Sequence, residues 1–248
     1  MKIYISIDDT DSLESPGSGH LAQMLARDLQ QAGLIVSSSN ITRHQLYFHD
    51  DIPYTSHNSA MCFSVDTESD AMGDIILYSQ QFLEKQSAPG SDPGLCIAPA
   101  ERGSDISSLV AFGSRAKTEV ISKEEAYWLA DQTGVHLSEH GGTGDGVIGA
   151  LAGIALRLTG NDGRFRGWLD FGRIGNILHA RELCSHPAVD QIVNAQGELL
   201  PEDARIVLSD CKLKTVHINH SQVIPVKPSE YPAEVLWSTL TRTEIKKF

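Results

Sequence analysis

Three carboxylates, Asp8, Asp9 and Asp11, stand within four residues of one another around Thr10, directly after an apolar segment. Like charges this close disfavour each other's ionisation unless a cation lies among them. Magnesium resolves that repulsion with a few hard oxygen ligands, phosphate oxygens and water, so one or two of these aspartates with a nucleotide suit it better than a closed protein cage. In extended backbone Asp9 and Asp11 would point to one side and Asp8 to the other, so the three need not share one ion. The plainer alternative is that they cap the following turn and helix and face water. A second locus is Gly144-Asp145-Gly146-Val147-Ile148-Gly149, a GxGxxG spacing preceded by Gly141 and Gly142. It enters an apolar helix whose first amides could bind phosphate. The dinucleotide-binding version of the motif also needs a preceding strand and an acid about 20 residues on, and Asp162 and Asp170 match only loosely. Gly149, Ala150, Ala152 and Gly153 equally suit a small-residue face packed closely on a sheet.

The elements that must carry these residues follow from periodicity. Lys2 to Ile7 alternates polar and apolar and is rich in β-branched residues, so it reads as a strand ending in the acids. His20 to Ala32 has helical spacing and stops at Gly33. Ile35 to Ser39, Gln45 to Phe48, Ser59 to Asp66 and Leu95 to Ala98 read as strands. Asp70 to Glu84, Ile106 to Arg115, Ser122 to Gln132 and Val147 to Leu158 read as helices, with Ser122 and Glu125 in capping-box spacing. Gly160-Asn161-Asp162-Gly163 marks a boundary. Beyond it Trp168 to Phe171, Gln191 to Val193, Arg205 to Leu208, Lys214 to Ile218 and Gln222 to Val226 are short β-like runs. The expectation is an α/β chain of the α+β type: a mixed sheet covered by helices in residues 1–160, and a smaller β-rich module in 161–248.

Composition narrows the class. The 248 residues carry a formal charge of -12, which on average repels phosphate backbones and argues against a nucleic-acid partner. The densest cations, Arg157 with Arg164 and Arg166, and the tail from Arg242 to Lys247, read as solvated faces. Cys62, Cys96, Cys184 and Cys211 are too dispersed for a zinc ribbon and read as reduced thiols. The N-terminus lacks a signal-peptide pattern, and no apolar run reaches the roughly 20 residues of a membrane span, so a cytoplasmic protein is expected. Three apparent motifs are set aside. The DFG of Asp170-Phe171-Gly172 has no accompanying kinase signatures. His136-Leu137-Ser138-Glu139-His140 matches HxxEH but runs into two glycines where that motif needs a helix. His217 and His220 are three apart in a β-like stretch and read as surface residues.

Taken in order, Ile7-Asp8-Asp9-Thr10-Asp11-Ser12, Ile52-Pro53-Tyr54, Asn58, Pro93-Gly94 and the run from Gly144 to Ala152 resemble the N-terminal half of the archaeal tRNA(Ile) agmatinylcytidine synthetase family. The resemblance extends from Met1 to near Leu158. It implies a kinase-like module that uses ATP and Mg²⁺ to phosphorylate the 2-carbonyl of a cytidine, which agmatine then displaces, and it implies ATP and metal roles for Asp8, Asp9 and Asp11. The family's Cys-Thr-Thr triplet, whose threonine can receive phosphate, is replaced by Gly17-Ser18-Gly19, where Ser18 retains a hydroxyl. Its basic stretch is replaced by Thr55-Ser56-His57, and the Arg of its glycine loop by Asp145. Its C-terminal OB fold and zinc ribbon have no counterpart in these 248 residues.

The resulting expectation is ATP- and Mg²⁺-dependent phosphoryl transfer or carbonyl activation on a small molecule, with a homodimer as the candidate assembly. Asp8, Asp9 and Asp11 are the candidate metal ligands. Thr10, Ser18, Gly144, Gly146 and Gly149 would contact the nucleotide, Asp9 would orient the acceptor, and Ser18 would contact or transiently carry phosphate. Arg43 is preferred over His20, His57 and Arg115 as the catalytic cation. The rivals are a nucleotide-binding module without turnover and an RNA-modifying or RNA-binding protein.

Overall fold

The computed structural model describes residues 1–54, 57–68, 70–100, 106–230 and 237–248, so Thr55 and Ser56 lie outside the described residues. The chain forms two compact units, Met1–Thr159 and Gly160–Phe248.

The first unit is built on a sheet of strands β1 (Lys2–Asp8), β2 (Ser37–Ser38), β3 (Thr42–Gln45), β4 (Ser59–Asp66), β5 (Gly94–Pro99) and β6 (His136–Glu139). Its order is β6-β5-β1-β4-β3, with β2 also on β4, and every pair is antiparallel. Alternation along β1 sorts its side chains. Ile3, Ile5 and Ile7 enter a core with Leu21, Leu25 and Leu29 of helix α1 (Ser18–Gln31) and with Ile75 and Leu83 of α2 (Met72–Gln86). Tyr4 packs the opposite core, which is shared by α3 (Ile106–Arg115), α4 (Lys123–Thr133) and α5 (Gly146–Leu158).

Helix α5 is buried along almost its whole length, as an all-round apolar helix must be. Its small residues allow this. A Cβ on Gly153 would meet Ser6 Oγ and stand 3.0 Å from Ala60 Cβ, and one on Gly113 of α3 would stand 2.9 Å from Ala155 Cβ. By contrast Gly73, near the start of α2, has nothing within 4 Å of its Cβ position. Gly73→Ala is therefore expected to stabilise the protein by about 0.5–1 kcal/mol through helix propensity and chain entropy alone, read as a higher midpoint in urea.

The second unit has a strand order of Arg164–Phe165, Val216–Ile218, Ser221–Pro228, Trp237–Thr239, Arg205–Val207 and Ile177–His179, with Gln191–Val193 added to Ser221–Pro228. Here the pairing is mixed: Gln191–Val193 runs parallel to Ser221–Pro228, and Arg205–Val207 parallel to Trp237–Thr239. The α+β class with helices on a mixed sheet holds, and among the described residues the parallel pairs lie in this unit. Asn219 and His220, at φ of 49° and 59°, make the two-residue turn between Val216–Ile218 and Ser221–Pro228, the left-handed pair that matches strand twist in a hairpin. His217 is not a surface residue: it is 3% exposed and packs edge-on to Phe165 at 5.7 Å.

Other differences from the periodicity have local causes. Gln45 to Phe48 is not a strand, because pairing with β4 covers Thr42–Gln45 only and the chain then leaves the sheet. The HxxEH segment is β6, so His136, Ser138 and His140 share one face and form a chain of hydrogen bonds of 2.9 and 2.8 Å through the Ser138 hydroxyl. Arg157 and Arg164 are buried rather than solvated. Arg157 donates to Thr42 Oγ1 at 2.8 Å and to Ser39 Oγ at 3.3 Å.

Candidate functional site

Asp8 ends β1 on the face covered by α5. It is 8% exposed, and a Cβ on Gly149 would collide with its carboxylate. Gly149 therefore creates the space that Asp8 occupies. Burial, reinforced by Asp9 and then by Asp11, pushes the Asp8 carboxyl up to about 8, against a hydrogen bond from the Asp9 amide that lowers it. Asp9 turns the chain with φ of 49°, a left-handed conformation that non-glycine residues seldom adopt. Its carboxyl is pushed up to about 6, first by burial and then by Asp92, Asp11 and Asp145.

Asp11 is held from α1. Ser18, the first residue of that helix and 6% exposed, donates its hydroxyl to Asp11 Oδ1 at 2.7 Å. Ser18 Oγ in turn accepts from Thr10 Oγ1 at 3.0 Å and from the Thr10 amide at 3.3 Å. The hydroxyl thus ties both ends of the acidic turn to the helix start. The Thr10 carbonyl in turn accepts from the Ala88 amide at 3.0 Å, which brings in the segment leading to Asp92.

Residues 140–146 lie against that segment. The His140 amide donates to the Pro93 carbonyl at 2.8 Å, and the Thr143 amide donates to the Asp92 carboxylate. Gly142 and Gly144 take φ of 58° and 82°, which only glycine adopts without strain. Thr143 Oγ1 donates to Asp145 Oδ2 at 2.9 Å, and Lys123 Nζ donates to the Thr143 carbonyl at 2.7 Å and to Glu139 Oε2 at 3.1 Å. The amides of Val147 and Ile148 bond the carbonyls of Gly144 and Asp145, closing the first turn of α5. A phosphate approaching this helix start meets the carboxylates of Asp92 and Asp145, so it requires a cation between them.

The structure thus brings Asp8, Asp9, Asp11, Thr10 and Ser18 together with Gly149. Gly144 and Gly146 lie in and at the end of the adjoining loop. Arg43 is on β3, where its Nε donates to Ser59 Oγ at 2.9 Å. Arg115 is held by Glu125 and, at 2.7 Å, by Glu119, while His20 and His57 are exposed. Three residues around the site carried no signal in the sequence: Asp92, Asp145 as an acid facing Asp9, and Lys123. Among the described residues no three histidines, cysteines or acids are already arranged around a metal position. The fit is to an open site in which one or two carboxylates are completed by phosphate and water, the arrangement magnesium accepts.

No helix among the described residues is long and apolar enough to cross a membrane. No family model matches the chain. Curated relatives include the isoleucine-tRNA 2-agmatinylcytidine synthetase TiaS of Pyrococcus horikoshii, 26% identical over 163 residues, covering 64% of this chain and 37% of that protein. The enzyme of Methanosarcina acetivorans is 28% identical over 161 residues, covering 63% and 36%. The chain therefore spans little more than a third of the length of these relatives. Among solved structures, the complex of TiaS with its isoleucine tRNA and ATP superposes with a TM-score of 0.54 at 17% identity, covering 82% of this chain and 50% of that one. That neighbour overturns the expectation against a nucleic-acid partner. Whole-chain charge is too coarse to exclude such a partner because it is an average: residues 1–159 carry 9 Lys and Arg against 21 Asp and Glu, whereas residues 160–248 carry 11 against 11. Contact with a phosphate backbone depends on local charge. In sequence and in fold, the chain resembles part of the archaeal isoleucine-tRNA agmatinylcytidine synthetases.

Proposed function

We propose that residues 1–159 bind a magnesium–ATP complex at Asp8, Asp9 and Asp11 and direct its chemistry to a base of RNA, as part of an RNA modification. The observation that carries this reading is the state of Asp9: a carboxyl pressed by burial and by Asp92, Asp11 and Asp145 is relieved when a divalent cation joins the cluster. The similarity to ATP- and tRNA-bound TiaS supports the choice of nucleotide and acceptor. When bound, magnesium and ATP would supply the transferable phosphoryl group and its charge neutralisation.

The chain's own residues act by placement. Asp8, fixed between β1 and α5, and Asp11, fixed by Ser18, hold the cation. Asp9, on the strained turn between them, orients the acceptor. Ser18 positions Asp11 and offers its hydroxyl to phosphate, and Lys123 holds the 140–146 loop in place through the Thr143 carbonyl. Calorimetric titration of ATP with and without Mg²⁺ tests this. Binding is expected only with the metal, and Asp11→Asn is expected to weaken it by at least about 10-fold, the loss of one charge-assisted contact. Metal-independent binding, or an unaffected Asp11→Asn protein, would remove Asp11 from the site.

A second reading, nucleotide binding without turnover, is favoured by the engagement of the candidate cations: Lys123 by Glu139, Arg115 by Glu119 and Glu125, and Arg43 by Ser59. Magnesium-dependent binding with no ATP consumption in the presence of tRNA would select it.

A further inference from the structure

The connection between β3 and β4 carries a feature that the acidic site does not use. β1 ends at Asp8, antiparallel β4 begins beside that end at Ser59, and β3 ends there at Gln45. The chain therefore leaves β3 at Gln45 and re-enters the sheet at Ser59, at the same end as the acids. The base of this loop is fixed: the Leu46 amide donates to the Asn58 carbonyl at 2.9 Å, Asn58 Nδ2 to the Tyr47 carbonyl at 2.7 Å, and the Tyr47 amide to the Ala116 carbonyl at 3.0 Å. Further out, the Ile52 amide closes a turn on the His49 carbonyl at 3.0 Å.

On this frame sit four aromatic rings. Tyr47 and His49 stack at 5.4 Å with 29° between their planes, and Phe48 meets Tyr54 edge to face at 5.2 Å and 74°. Phe48 is 47% exposed and Tyr54 46%. Two half-exposed rings beside a hydrogen-bonded loop base forgo the burial that would make them ordinary core. The intervening charges, Asp50 and Asp51, are acidic, so the loop does not suit phosphate. Its ring faces suit nucleobases, which stack on aromatics with little regard to sequence. A small nucleotide would be enclosed by a pocket, whereas these rings are open and there is more than one pair of them, which suits a strand with unpaired bases.

We propose that Phe48 and Tyr54, supported by Tyr47 and His49, form a stacking platform that presents an unpaired base of the acceptor RNA to the acidic strand end. This rests on the RNA reading above and adds the residues that recognise the acceptor. The test measures the affinity of the full chain for a fluorescent transcript of the isoleucine tRNA by anisotropy over a range of salt, and for Mg²⁺–ATP by calorimetry. Phe48→Ala, Tyr54→Ala and Tyr54→Phe are compared, with folding verified by circular dichroism. Each alanine variant is expected to bind the transcript about 10-fold more weakly, the loss of one stacked base, with the salt dependence and the ATP affinity unchanged. Tyr54→Phe, which keeps the ring, is expected to bind as the wild type. Unchanged RNA affinity in both alanine variants would overturn the platform, and so would an ATP affinity that falls with them, which would assign the rings to adenine. A wild-type protein that binds Mg²⁺–ATP but no transcript would remove the platform and leave the nucleotide site standing. Binding of neither would remove the functional reading itself.

Discussion

Asp8→Asn is expected to raise the stability of the metal-free protein at pH 8 by about 3 kcal/mol and to abolish its magnesium-dependent binding of ATP. The Asp8 carboxyl has an ordinary value of 3.8 and is raised to about 8 in the folded chain. The native state therefore holds this proton more tightly than the unfolded state does, and folding stability falls as pH rises between those values. Asp9, raised to about 6, contributes with the same sign up to that pH. At roughly 1.4 kcal/mol per pKa unit, a shift of this size is worth several kcal/mol before relaxation and coupling reduce it. Asparagine is neutral throughout and escapes the loss. In divalent-free buffer the wild-type thermal midpoint should drop from pH 5 to pH 8, whereas that of Asp8→Asn should change little. At pH 8 the variant should melt about 6–10 °C higher, and Mg²⁺ should raise the wild type but not the variant. A wild-type midpoint that holds steady from pH 5 to pH 8 without divalent ions would contradict the retention of a proton by buried Asp8 in the folded chain.

Gly94→Ala is expected to cost about 3 kcal/mol or more, the upper range for overpacking a close backbone contact. Gly94 pairs with Asp8 across β1 and β5, and its missing Cβ is what admits α5: an alanine methyl would fall on the carbonyl of Gly146 and the nitrogen of Val147. Both sides of that contact are backbone, and β5 is hemmed in by β1 and β6, so no side chain can swing away. Retreat of α5 would also part Asp92 from Thr143 and thin the charge around Asp9. The urea midpoint should fall sharply while that of Gly73→Ala rises. A Gly94→Ala protein within about 0.5 kcal/mol of wild type, the ordinary scale of a surface change, would show that the helix start can move without penalty.

Local physics carried much of the fold in the sequence. Alternation over Lys2 to Ile7 specified β1, and Ser59 to Asp66, an apolar-rich run buried on both faces, was legible as β4. Helical spacing specified α3 at Ile106–Arg115, and the Ser122 hydroxyl accepts from the Glu125 amide at 3.3 Å as the capping pattern requires. These elements depend on residues within a turn or two of each other. β6 was not legible, because His136–Glu139 has no alternation of its own and is a strand only through pairing with β5. The loop at Tyr47 and Phe48 was read as a strand because β-favouring residues fill it, although pairing with β4 stops at Gln45.

The order of Asp8, Asp9, Thr10 and Asp11, the small residues of α5 and the resemblance to the agmatinylcytidine synthetases were present in the sequence by itself, since each is a matter of residue type and spacing. Only the tertiary structure decided which carboxylates face one another, because Asp92 and Asp145 come from two segments that the sheet and α5 fold together around Asp9. It also decided that Gly149 makes room for Asp8, since a glycine in a helix has no visible purpose until the atom that fills its missing side chain is known.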